Sequence, residues 1–260
     1  MSGVLSKSLR KVTGTLSAGI EITSLRKRGE HAIAALVNFK PVQPEFRTLF
    51  NASVNYQYFL IAALLPAMLQ VFVMVWSVYI VGREFDEQAS SQILSKQLAI
   101  AKVMLAKVMP IFVVSSLIAC SCLYWLYGYS GWPVSGSLSM LLLAWEIMIC
   151  AYISLGIWVA SLNLKLSTAL SVTAAFTAPA FAYVGITFPQ QAMPFLAQIW
   201  SYALPVRSLL KLQVEQTEMG APMIYSLTEL GILIAFAIVP LPFAIYGIRK
   251  RINLQSLRCN

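Results

Sequence analysis

Between Lys107 and Lys165 the sequence carries a single ionisable acid or base, tyrosine and cysteine aside, and that residue is Glu146. A carboxyl set in such an apolar stretch can hold or relay a proton, or face a polar solute. An ionisable group at membrane depth is by default a candidate for a translocation path. Placing it at a helix centre costs about 2.5–3.5 kcal/mol on insertion scales. The 11 Leu, Ile, Val or Phe residues from Leu138 to Leu162 each return about 0.3–0.6 kcal/mol, so the segment inserts despite the charge. Two readings stay open: a group on a substrate path, and a protonated or hydrogen-bonded packing acid.

Other chemistry is poorly provided for. The one histidine, His31, lies in the polar N-terminal region, which removes His-based metal sites and Ser-His dyads from the apolar part. Cys120, Cys122 and Cys150 lie in apolar stretches and Cys259 in the tail, without zinc spacing or a secreted disulfide framework, and read as small packing residues. Neither HExxH nor the phosphate-cradling GxxxxGK[ST] loop occurs, so no catalytic, metal or cofactor-binding residue is assigned and any ATP chemistry must come from a partner.

The elements that must position Glu146 follow from composition. Of 260 residues, 58% are apolar and 11% charged, roughly half the ~25% charged share of a soluble domain. The charge-free gaps are the length of a bilayer crossing, which takes about 20 apolar residues at ~1.5 Å each. The expected fold is all-α: a polytopic helical membrane protein with about five spans, Tyr58 to Val81, Val108 to Tyr127, Leu138 to Leu162, Ser167 to Thr187, and Leu230 to Ile248, plus short outer re-entrant helices. Pro66, Pro110, Pro179, Pro240 and Pro242 fall inside these spans, and each frees a carbonyl that a neighbouring helix can satisfy. Residues 1–55 form a polar region, 56–250 the membrane domain and 251–260 a tail.

The net charge of +9, from 19 Lys and Arg against 10 Asp and Glu, is scattered between spans rather than gathered on one soluble face, which argues against nucleic acid. Near the span ends, one side holds Lys40, Arg47, Arg207 and Lys211; the other holds Arg83, Lys96, Lys102, Lys107, Lys165, Arg249, Lys250, Arg251 and Arg258. The positive-inside rule makes the richer side cytoplasmic, with the C-terminus inside and the N-terminal region outside. Trp125, Tyr127, Tyr129 and Trp132 then form an outer aromatic belt.

Three further segments invite functional readings. From Arg83 to Lys107, acids come first (Glu84, Asp86, Glu87) and bases last, the order that complements a helix dipole; the expectation is a helix, whole or broken, along the inner interface, offered to a soluble partner. From Phe188 to Leu210 the chain is too apolar for a loop and too interrupted by Pro189, Pro194 and Pro205 for one span. Phe195, Leu196, Ile199, Trp200, Ala203 and Leu204 recur at helical spacing and Pro205 is placed to open a second short helix, so outer re-entrant helices are expected, as a gate or a structural lid. The span Ser167 to Thr187 has 13 Gly, Ala, Ser or Thr among 21 residues, with Ala174, Ala178 and Ala182 at every fourth position. Such a stripe should pack on a helix of this chain or of a second copy, and Gly156 with Ala160 offers a weaker version.

Taken in order, Leu49-Phe50-Asn51, Arg83-Glu84-Phe85-Asp86-Glu87, Lys107 to Pro110, Phe188-Pro189, Met193-Pro194 and Leu204-Pro205 resemble the permease subunits of type-2 ATP-binding-cassette (ABC) exporters over about residues 40 to 250. The resemblance implies an inner-membrane permease paired with a second permease copy and two cytoplasmic ABC ATPase subunits that hold the ATP, with no cofactor on this chain; a periplasmic adaptor is a further partner. It implies that Arg83, Glu84, Phe85, Asp86 and Glu87 contact the ATPase, that Phe188, Pro189, Met193 and Pro194 belong to outer re-entrant helices capping the exit, and that the small-residue span joins the dimer contact. Where the family carries Gly-Thr this sequence reads Gln88-Ala89. Similar family members begin with an additional span and a large periplasmic domain, so the chain reads as N-terminally shortened. The alternatives are an ion-coupled transporter using Glu146, an intramembrane enzyme, and a non-transporting assembly subunit.

Overall fold

The computed structural model describes residues 56–86, 97–184 and 193–259, with isolated positions between 12 and 23. The chain divides into two compact units, Met1–Ser53 and Val54–Asn260, and the fold below is that of the second. Among the described residues all regular structure is helical: α1 Tyr56–Asp86, α2 Gln97–Leu123, α3 Leu138–Ser161, α4 Leu166–Thr177, α5 Ala180–Tyr183, α6 Phe195–Tyr202, α7 Pro205–Val214, α8 Met223–Ile238 and α9 Pro240–Cys259. α2 and α7 each end in a wider π-helical turn, Tyr124–Tyr129 and Glu215–Met219.

Five stretches are long and apolar enough to cross a membrane: Leu60–Arg83, Lys102–Tyr129, Leu138–Ser161, Leu166–Tyr183 and Met223–Arg251. They match the five expected spans. The fifth starts seven residues earlier than Leu230, because Pro222 supplies the N-cap with extended backbone and the acid at Glu229 is neutralised inside the helix rather than ending it. α9 continues α8 at Pro240 and runs on through the 251–259 tail.

α3 is the axis of the bundle. Of its span 72% is buried, against 50% for the first and 22% for the second, fourth and fifth, and α1, α2, α4, α7, α8 and α9 all pack on it. Trp145, Met148, Ile149 and Tyr152 are enclosed there. α1 crosses α3 closely because Gly156 has no side chain: a Cβ at Gly156 would lie 2.6 Å from the Ser77 Cβ. Gly247 on α9 makes an equally close approach to Ser161 at the end of α3. Large apolar side chains such as Phe72, Leu105, Leu117, Tyr225 and Phe243 remain exposed around the outside. A helix surface of this kind is stable against hydrocarbon and not against water.

Buried polar groups satisfy the break at Pro66 and the end of α3. Pro66 has no N–H for the Ala62 carbonyl one turn earlier, and Gln213 of α7 supplies it, its Nε2 lying 3.0 Å from Ala62 O. Arg251, 7% exposed, turns inward from α9 to donate to Ala160 O at 3.0 Å and Leu164 O at 3.4 Å. It thereby caps one α3 carbonyl that has no intrahelical partner and one in the following turn, and places a cation at the negative end of the helix dipole. Ser137 opens the same helix, its Oγ accepting from Met140 N.

The Pro66–Gln213 pairing is testable by a double-mutant cycle. Gln213→Leu orphans the Ala62 carbonyl and should cost about 1–3 kcal/mol, read as a lower unfolding midpoint in detergent. Pro66→Ala restores the intrahelical donor, so the same Gln213→Leu change in that background should cost much less.

Candidate functional site

Two ends of the bundle concern function. The elbow end holds the C-terminal end of α1, the start of α2, the Leu162–Lys165 turn and Arg251; the far end holds the α2–α3 connection and the segment from Met193 to Met223. At the far end, α6 and α7 form a helical hairpin that dips into the bundle. Trp200 of α6 meets Phe176, ten residues along α4, with ring centroids 5.7 Å apart. Val206 N, at the start of α7, donates to the Tyr152 hydroxyl at 3.3 Å. Tyr152 is 14 residues from the far end of α3, about 21 Å along the axis. From that depth α7 climbs back to the rim, where Gln216 O accepts from Gly136 N at 2.7 Å.

The two expected short helices are thus present, and Pro205 occupies the first turn of α7 as expected. Pro194 is the N-cap of α6 and Met193 is buried beside it, its carbonyl accepting from Gln198 Nε2 at 3.0 Å. Phe188 and Pro189 lie outside the described residues. The face that α6 turns outward is the apolar one: Phe195, Leu196, Ile199 and Tyr202 are exposed while Ser201 is enclosed. Arg207 lies over the Tyr202 ring, 3.9 Å from its centroid.

A polar knot ties the hairpin to its neighbours at the rim. Gln216, fully enclosed, accepts from Ser137 N at 2.9 Å and donates to Ala221 O at 3.2 Å and Ser226 Oγ at 2.9 Å. Ser226 in turn donates to Glu215 Oε2 at 2.7 Å. Gly136 is required there, because a Cβ would sit 2.5 Å from Gln216 Oε1 and 2.8 Å from its carbonyl. Gly220 ends the π turn at φ +58°, a left-handed conformation that suits glycine. Burial pushes the Glu218 carboxyl above its ordinary range.

The centre of this knot was missed in the sequence. Glu229 looked like the polar boundary of the last span, whereas it lies in α8, 4% exposed, with Lys211 Nζ of α7 2.5 Å from its Oε1. Lys211 also lies 4.0 Å from Glu215. Glu146 is therefore not the one acid inside a span. The available signal was a Lys and a Glu placed on two helices either side of a Gly-Ala-Pro turn.

Glu146 itself sits between α2 and α3, half-buried, its Oε1 accepting from Ser116 Oγ at 2.7 Å while Oε2 is enclosed without a hydrogen-bond partner. Cys120 and Cys150 are exposed on the bundle surface rather than packed inside, which corrects their reading as packing residues.

At the elbow, α1 continues through Arg83, Glu84, Phe85 and Asp86, and α2 begins at Gln97; Glu87 lies outside the described residues. Of the expected helix from Arg83 to Lys107, whole or broken, the two ends are helical and residues 87–96 lie outside the described residues; Glu84 and Asp86 occupy the C-terminal turn of α1, where they oppose the dipole. α1 runs on past Gly82 to Asp86 without a break. Arg83 Nη1 lies 3.4 Å from the Tyr79 hydroxyl.

Ala174, Ala178 and Ala182 are exposed in the single chain. The face of α4 and α5 that packs is the other one, with Ala169, Thr173, Thr177 and Ala180 buried and Gln70 Nε2 of α1 3.5 Å from Thr177 O. Close helix approaches that small residues allow are made by Gly156 and Gly247 instead.

The family model described as ABC-2 family transporter protein matches residues 4–246, from the N-terminal region through the hairpin and into α9. The chain belongs to the ABC-2 transporter family. Among its relatives, the probable multidrug ABC transporter permease YbhS of Escherichia coli K12 is 23% identical over 172 residues, 65% of this chain and 45% of the relative. The probable multidrug ABC transporter permease YbhR of the same strain is 24% identical over 164 residues, covering 62% and 44%. The chain thus spans about half the length of these relatives. No solved structure matches.

In this ABC-2 chain the Lys211–Glu229 pair should behave as a dependent unit. Losing one partner of a buried pair costs about 3–5 kcal/mol. Because the Lys211 side chain is 57% exposed, Lys211→Met should cost only about 1–3 kcal/mol after solvent screening. Adding Glu229→Gln should recover most of the loss, measured as thermal unfolding of the purified chain in detergent.

Proposed function

We propose that this ABC-2 chain is the membrane-spanning permease subunit of an ATP-driven exporter, forming the substrate pathway while a separate ATPase subunit supplies the energy. The family match over residues 4–246 carries the reading. It is supported by five helices long enough to cross a bilayer and by a sequence without a nucleotide-cradling loop. The basic excess at the elbow end supports a cytoplasmic placement of that end in an inner membrane, with the C-terminus inside. The far-end hairpin then caps the exit, with Phe188, Pro189, Met193 and Pro194 at its approach.

The working assembly holds two permease copies, meeting through the exposed Ala174, Ala178 and Ala182 face, above two cytoplasmic ABC ATPase subunits. ATP binds the partner, and Arg83, Glu84, Phe85, Asp86 and Glu87 form the coupling elbow. A rigid α1 joins that elbow to the hairpin through the Gln213–Ala62 hydrogen bond, so tilting α1 from below displaces the cap above. The relatives' description as multidrug permeases suggests amphiphilic cargo, which suits apolar walls with few polar groups. The unpartnered Glu146 oxygen favours a second reading, an ion-coupled transporter with Glu146 as the coupling acid.

Co-purification separates the two. A nucleotide-hydrolysing subunit should copurify with the native chain, and its recovery should fall at least tenfold when Glu84, Asp86 and Glu87 are changed to Gln, Asn and Gln. Undiminished recovery in that variant would remove the elbow from the contact, and export abolished by proton-gradient collapse without any such subunit would establish the ion-coupled reading.

A further inference from the structure

A cleft of about 470 Å³ opens on the bundle surface between α2 and α9, floored by α3. Both outer helices pack on α3. Val108, Phe112, Ile153, Leu241 and Ile245 give it apolar walls, and its lips, among them Leu105 and Met109, are exposed to the outside of the bundle. It therefore faces the surrounding bilayer.

One polar atom in the lining stands out. Ser154 is 2% exposed and its Oγ has no hydrogen-bond partner. Other span hydroxyls find an acceptor within the protein: Ser77 bonds back to Val73, Ser121 to Leu117, Thr173 to Ala169 and Thr177 to Thr173, while Ser116 and Ser226 reach carboxylates. A buried hydroxyl without that bond costs free energy unless a ligand supplies an acceptor. Pure hydrocarbon cannot supply one; the ester carbonyl of a lipid can.

The charge at the elbow end of the cleft defines the headgroup. Within four positions of the lining residues on α2 and α9, every charged residue is basic: Lys102, Lys107, Arg249, Lys250 and Arg251. Arg251 is turned inward to the α3 carbonyls, while Lys102, Arg249 and Lys250 are exposed. A basic cluster beside an apolar cleft at the bilayer rim attracts an anionic headgroup.

We propose that this cleft holds one acyl chain of an anionic bilayer phospholipid, its ester carbonyl accepting from Ser154 and its headgroup lying against Lys102, Arg249 and Lys250. The lipid is a resident part of the subunit and not its cargo. The proposal rests on the bilayer placement given above, but its test needs neither ATPase nor export, so the two fail separately.

Cys150 lines the cleft and is a free thiol, which makes it the reporter. The full chain carrying Cys120→Ser, Cys122→Ser and Cys259→Ser is purified in maltoside micelles, and the rate of Cys150 alkylation by N-ethylmaleimide is measured with added phosphatidylglycerol or phosphatidylcholine of equal chain length. Phosphatidylglycerol should slow alkylation at least tenfold and phosphatidylcholine less than threefold. Lys102→Gln, Arg249→Gln and Lys250→Gln together, all at exposed positions, should make the two lipids equivalent. Ala237→Phe, which fills the cleft, should abolish retention of phosphatidylglycerol in native mass spectrometry. Equal rates in both lipids and in bare micelles overturn the proposal. So does protection that rises with protein concentration in lipid-free micelles, which would assign the cleft to a second copy, and so does a phosphatidylglycerol effect untouched by the basic-residue variant.

Discussion

Hydrocarbon offers no hydrogen-bond partner, so a chain that lives in it must answer every broken helix bond from within. This constraint shapes the bundle more than its apolar packing does, because apolar side chains gain little by leaving lipid for protein. The Ala62 carbonyl freed by Pro66 is met by Gln213, the Ala160 carbonyl near the end of α3 by Arg251, and the first N–H groups of α7 in part by the Tyr152 hydroxyl. Each of these bonds joins two elements far apart in sequence. The bonds of Gln213 and of the Tyr152 hydroxyl fix where the α6–α7 hairpin sits and how deep it reaches.

The hairpin is held from two directions. α3 supplies the Tyr152 hydroxyl from the axis and α1 supplies the Ala62 carbonyl from the side, while the rim knot around Gln216 ties its upper end to the α2–α3 connection and to α8. In the exporter reading, an element so placed moves only when α1 or α8 moves. α1 runs unbroken from the hairpin to the elbow, which gives a force applied below a direct route to the cap.

Much of this was legible in the sequence for a physical reason: low dielectric penalises charge, so the charge-free gaps mark the five spans, and Pro205 marks the start of α7 because its fixed φ and missing N–H suit a first helical turn. Glu229 was not legible as a buried group, because the cation that makes it tolerable lies on another helix. The elbow misled for a related reason. Acids followed by bases suit a free helix, but α1 continues as far as Asp86 and leaves Glu84 and Asp86 at the wrong end of a dipole. The packed face of α4 was hidden because small residues cover most of its circumference, and spacing alone does not choose between Ala174, Ala178 and Ala182 and the Ala169, Thr173 and Thr177 side that α1 covers.

The central claim is that this chain is a pathway whose motor is a different subunit. Transport of an amphiphilic dye by proteoliposomes holding the purified chain, with and without a copurifying ATPase subunit and with nucleotide present throughout, tests it most directly. Dye movement confined to vesicles that contain both proteins is the expected result. Movement by the chain alone, at a rate set by an imposed proton gradient, would contradict it.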